Sequence, residues 1–89
     1  MADGLKSSLG ERTWPVVRDL LADIIVVHDD AIIAAMRLVW ERMKIVIEPS
    51  AACAVAAALS DHFEDARKDQ RVAIVLSGGN VDLNTLPWL

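Results

Sequence analysis

Three short apolar runs rich in β-branched residues, separated by segments of helical spacing, constrain this chain more than any other feature. They are residues 24–27 (IIVV), 44–48 (KIVIE) and 71–77 (RVAIVLS). Each is apolar on both faces, which is the character of parallel strands covered on two sides. Between the first two runs, Ile32, Ile33, Met36, Val39, Trp40 and Met43 recur at spacings of three and four, opposite Arg37, Glu41 and Arg42. That pattern predicts an amphipathic helix opening at Asp29-Asp30, which are good N-cap residues. A second helix is predicted after Pro49, with Ser50 as its cap, through AACAVAAALSDHF. Its alanines allow close approach on nearly every face, so it is expected to be sandwiched. Ahead of both, TWPVVRDLLADI predicts a helix capped by Thr13, with Pro15 in its first turn.

The predicted order is therefore helix, strand, helix, strand, helix, strand, short helix. Right-handed crossovers turn that order into part of a doubly wound, mainly parallel α/β sheet in three layers, a single α/β subdomain over residues 1–89. Ligands of such sheets sit beyond the carboxyl ends of the strands. Three segments occupy that edge: His28-Asp29-Asp30, Glu48-Pro49-Ser50 and Ser77-Gly78-Gly79-Asn80. The last two are favoured by geometry. For the Ser-Gly-Gly-Asn stretch two readings stand side by side: a ligand-binding turn, or a plain strand-to-helix turn with a cap. Neither phosphate-binding glycine signature, G-x-G-x-x-G or G-x-x-x-x-G-K-[ST], occurs.

Composition narrows the partners. Hydrophobic residues make up 54% of the chain and the mean hydropathy is +0.34, more apolar than so small a domain needs for its own core. The surplus implies surface that something else covers. A net charge of −4 with scattered basic residues disfavours nucleic acid. The longest apolar run, residues 51–59, falls far short of the roughly 20 residues that span a bilayer, so no membrane helix is expected. The N-terminus lacks secretory-signal character, and a single cysteine, Cys53, forms no internal disulfide; a cytoplasmic location is the expectation. Cys53 itself reads as a small buried apolar residue. His28 reads as a surface-loop histidine, and Asp61-His62-Phe63-Glu64-Asp65 as a solvated helix end whose ligand-type side chains scatter around the axis. Trp14 and Trp40 are expected in the core, and Trp88 either as a packed terminus or facing a partner.

Three stretches carry a resemblance: ADGLKSSLGERTW at 2–14, LVWERMKIVIEPSA at 38–51 and IVLSGGNVDL at 74–83. Together they resemble the C-terminal part of the large domain of serine racemases and serine/threonine dehydratases, pyridoxal-phosphate enzymes of fold type II. The combination of VWERMK with SGGNVDL is more similar to the eukaryotic-type racemases than to the anabolic threonine dehydratases. The resemblance implies that the Ser77 hydroxyl hydrogen-bonds the pyridine nitrogen of pyridoxal 5'-phosphate. A neutral hydroxyl does not hold that nitrogen protonated, so the ring is a weaker electron sink, suited to racemisation and β-elimination rather than transamination. It further implies that Gly4 lies against one face of the ring, that Glu48 approaches its polar edge, and that Gly78, Gly79 and Asn80 shape the turn.

The family's Schiff-base lysine, its opposite-face serine, its phosphate cradle and the carboxylates for Mg2+ or Ca2+ all precede the matched region. Lys6, Lys44 and Lys68 sit in no matching motif. The expectation is therefore a piece that begins inside a domain, has no catalytic residue and no metal ligand of its own, and partners the missing N-terminal part in a homodimer. Arg42 and Lys44 carry two readings: contributors to the family's ATP site near the dimer interface, or an ordinary basic helix end. The implied activity is conversion of L-serine to D-serine, or of L-serine and L-threonine by ammonia elimination. The competing expectation is an inactive ligand-binding or interaction fragment that pairs with a full-length protomer.

Overall fold

The computed structural model describes residues 2, 5, 9–64, 68 and 70–89. Three α-helices organise it: α1 (Trp14–Leu20), α2 (Asp29–Met43) and α3 (Pro49–Leu59), followed by a 3-10 turn at Asp61–Phe63. Helix α2 forms where the spacing predicts it, and Ile32, Ala35, Met36 and Val39 make one buried stripe at the i, i+3, i+4, i+7 positions. Asp29 and Asp30 lie in its first turn, where carboxylates favour the positive end of the helix dipole, and the N-cap position belongs to His28. Arg42 occupies the last turn, and Lys44 ends the helix in the left-handed region at φ 59°.

Helix α3 starts at Pro49, with Glu48 rather than Ser50 at the N-cap. Its buried residues are Ala51, Ala52 and Ala56, small enough to let α3 close on α2. The other faces are covered in part: Cys53, Val55, Ala57 and Ala58 are half-buried while Ala54 and Leu59 are exposed, so the expected sandwiching of α3 is incomplete. Thr13 stands at the N-cap of α1, but its hydroxyl donates to the Gly10 carbonyl (3.1 Å) instead of accepting from the helix.

The three apolar runs do not pair into a sheet: among the described residues no strand forms. A strand exists through sideways bonds to a neighbour, and here the end of the second run bonds the residue just after the third, the Glu48 amide donating to the Gly78 carbonyl at 3.0 Å. Many of their side chains are correspondingly bare, with Val26 at 82% and Val75 at 79% exposure, while Ile47 is buried and Val27 and Leu76 pack against the core. Nor does a short helix follow the glycines. Asp82 instead organises a turn, its carboxylate accepting from the Asn84 amide (2.9 Å) and its carbonyl from the Thr85 amide (3.2 Å).

The core comprises Ile32, Ala35, Met36, Val39, Ile47, Ala51, Ala52 and Ala56, flanked by Val27, Leu76, Leu86 and the half-buried Trp40 and Trp88. Trp14, expected inside, is 46% exposed because α1 buries no residue. The radius of gyration is 14.2 Å, against about 12 Å for a compact domain of this length. The accessible surface, 6964 Å², exceeds by roughly a third the ~5,100 Å² of a compact monomer of this mass. Open apolar clefts account for part of it: one of about 380 Å³ is lined by Val26, Ala34, Leu38 and Leu59, another of about 470 Å³ by Leu38, Met43 and Val55.

Candidate cofactor site

The segments after the second and third apolar runs meet. Ile47 is 1% exposed, which anchors Glu48 at the start of α3, and the Glu48 amide reaches the Gly78 carbonyl. The Glu48 carboxylate lies directly over Gly78. A Cβ at position 78 would overlap its nearer oxygen and stand 3.2 Å from its Cδ. One residue on, a Cβ at 79 would stand 2.8 Å from the Val46 carbonyl oxygen. Neither glycine has positive φ, so close approach and not backbone conformation is at issue: at 79 a fixed backbone oxygen requires glycine, whereas at 78 the obstacle is the movable end of the Glu48 side chain.

Ser77 is exposed beside this junction, and its hydroxyl engages no partner among the described residues. Asn80 and Gly79 are exposed, while Gly78 and Glu48 are half-buried. The arrangement thus presents a neutral donor or acceptor, a carboxylate and a flat, side-chain-free backbone edge on one rim. These are the group types that meet the polar edge of a planar heteroaromatic ring. Gly4 lies outside the described residues. Arg42 and Lys44 sit together at the end of α2, where the Lys44 ammonium donates to the Glu41 carbonyl (2.6 Å). Glu41 also accepts from Arg37 at 2.7 Å, a bond that holds its carboxyl below the usual range.

Of the remaining polar groups, His28 is exposed. His62 pairs with Asp23 at 2.8 Å on the surface, and this bond, with one from the Ile24 amide, lowers the Asp23 carboxyl. Cys53 is half-buried, donates weakly to the Pro49 carbonyl (3.5 Å), and is pushed up chiefly by burial. Among the described residues no three His, Cys, Asp or Glu side chains converge on a metal position. No helix of the described residues is long and apolar enough to cross a membrane.

Sequence reasoning misses one participant. Trp40, read as core, donates its indole Nε1–H to the Ile47 carbonyl at 2.9 Å and packs edge-to-face on Trp88, with ring centroids 5.2 Å apart at 81°. Trp88 is therefore a packed terminus. The one sequence-level signal was a tryptophan on the helix preceding the Glu48 segment, the residue type that combines a large ring with a donor.

These elements match a known family. Residues 1–78 fit the model described as "Pyridoxal-phosphate dependent enzyme", and the chain belongs to that family. Among its relatives it is similar to serine racemases, being 52% identical to that of Rattus norvegicus over its whole length. It is also similar to the solved serine racemase of Dictyostelium discoideum, at 49% identity and TM-score 0.86 over 92% of this chain and 27% of that one. A pyridoxal 5'-phosphate-dependent aspartate racemase matches at 44% identity and TM-score 0.84, over 90% of this chain and 25% of that one. The chain spans 27% of the length of the Rattus norvegicus relative. The structural likeness at this identity assigns the chain to the α/β fold of these enzymes, and it extends over 92% of the chain, beyond the helices.

Proposed function

We propose that this chain is the C-terminal part of the large domain of a pyridoxal-phosphate serine racemase or dehydratase, competent only with the rest of the enzyme. The observation that carries the reading is the 52% identity to a serine racemase across the whole chain, together with the Glu48 amide–Gly78 carbonyl bond that brings the Glu-Pro-Ser and Ser-Gly-Gly-Asn segments side by side. When bound, pyridoxal phosphate supplies a conjugated ring that delocalises the charge left as an amino acid loses its α-proton. In this proposal Ser77 holds a hydrogen bond at the ring nitrogen without protonating it. Glu48 borders the polar edge, Gly78, Gly79 and Asn80 shape the turn, and Gly4 faces the ring.

The covalent amine comes from the remainder of the protein, as do the ligands for Mg2+ or Ca2+. L-serine is the proposed substrate, leaving as D-serine or as pyruvate and ammonia, with L-threonine as a further candidate for elimination. The likeness to an aspartate racemase fits a substrate choice made outside this segment. A cytoplasmic homodimer with ATP held near Arg42 and Lys44 completes the reading.

Its test is a pair of substitutions in the complete enzyme. Ser77→Ala removes one hydrogen bond to the ring and is expected to weaken cofactor binding about tenfold. Ser77→Asp is expected to favour transamination over racemisation. Unchanged cofactor affinity and product ratio in both would overturn the assignment. A second reading, an inactive fragment that pairs with a full-length protomer, draws on the bare apolar clefts. Loss of an intact relative's activity in proportion to added chain would favour it.

A further inference from the structure

We infer that Trp40 is a positioning residue that locks Glu48 to the 77–80 turn and so holds the two halves of the rim in register. The Ile47 carbonyl belongs to a residue buried almost completely, and its partner is the Trp40 indole of the preceding helix. The very next amide, that of Glu48, bonds the Gly78 carbonyl, and the Glu48 carbonyl then accepts the first bond of α3 from Ala52 at 3.1 Å. Three consecutive polar groups of the 47–48 backbone therefore engage three different segments: α2, the glycine turn and α3. The same indole ring seats Trp88, which fixes the chain on the far side of the turn.

Tryptophan alone among the apolar side chains supplies both the broad ring face and an N–H donor. Phenylalanine keeps the ring against Trp88 but leaves the Ile47 carbonyl unpaired. The consequence drawn for the cofactor rests on the proposed roles of Ser77 and Glu48; the mechanical lock does not.

The experiment compares wild type, Trp40→Phe and Trp88→Leu in the complete polypeptide by amide hydrogen exchange, with cofactor titration alongside. Trp40→Phe is expected to speed exchange at the Glu48 amide about tenfold, the effect of one buried carbonyl left without its donor. Amides inside α2 should stay within about twofold of wild type. Trp88→Leu, which spares the indole bond, should speed Glu48 less. The cofactor dissociation constant should rise with Trp40→Phe in step with Glu48 exchange. A Glu48 amide that does not respond, or α2 amides that speed up equally, would overturn the lock. Should Trp40→Phe fail to fold, wild type still decides: the Trp40 indole proton must exchange more slowly than that of the exposed Trp14. A protein with the exchange pattern but no cofactor binding would retain the lock and lose the proposed function.

Discussion

Alanine at the two glycines of the turn separates stability from site geometry. At position 79 the added Cβ would stand 2.8 Å from the Val46 carbonyl oxygen, a backbone atom with no rotamer to escape into. Overpacking of this kind costs about 1–3 kcal/mol. The lower entropy of the unfolded alanine chain returns about 0.4–1 kcal/mol, so Gly79→Ala should destabilise by about 1–2 kcal/mol. At position 78 the obstacle is the tip of the Glu48 side chain, which can rotate away. An off-rotamer shift costs about 0.5–1.5 kcal/mol and the same entropic gain nearly cancels it. Gly78→Ala should therefore leave stability almost unchanged while swinging the Glu48 carboxylate off the rim. Urea denaturation of the complete enzyme measures the first effect and cofactor titration the second. Equal losses of stability in the two variants, or a Gly78→Ala protein that binds cofactor normally, would refute the assigned contacts.

Lys44→Gly removes a left-handed non-glycine residue and should raise stability by about 1 kcal/mol in thermal unfolding, while weakening the proposed ATP response. Burial raises the Cys53 thiol, so its thiolate fraction at neutral pH is smaller than that of a free cysteine. Alkylation should be slow and its rate should climb with a midpoint above the ordinary cysteine value of about 8.5, followed by mass spectrometry. The Asp23 carboxyl is lowered by His62 and the Ile24 amide; its contribution is present above the ordinary aspartate value of about 3.9 and fades as pH falls through the lowered one. Carbon NMR should show Asp23 titrating below that value in wild type and closer to it in His62→Ala.

What the sequence determined by itself is what depends on local periodicity. The stripe of Ile32, Met36 and Val39 sets α2, and Pro49 begins α3, because a helix satisfies its backbone within one segment and its buried face repeats every 3.6 residues. The Ser-Gly-Gly-Asn and Glu-Pro-Ser segments read as neighbours from the expected sheet topology, which puts the ends of parallel strands on one edge, and the Glu48 amide–Gly78 carbonyl bond brings them together. Sheet formation was not decided locally, since Ile24, Val26, Ile74 and Val75 carry strand character yet remain bare where no neighbour offers a ladder. Trp14 and Trp40 show the same division. Both are tryptophans in helices, but α1 buries nothing, whereas Trp40 meets Ile47 and Trp88. Only the tertiary structure decided that, because a contact between a helix, the backbone of the segment leading into the next helix and the chain terminus has no period to read along the sequence.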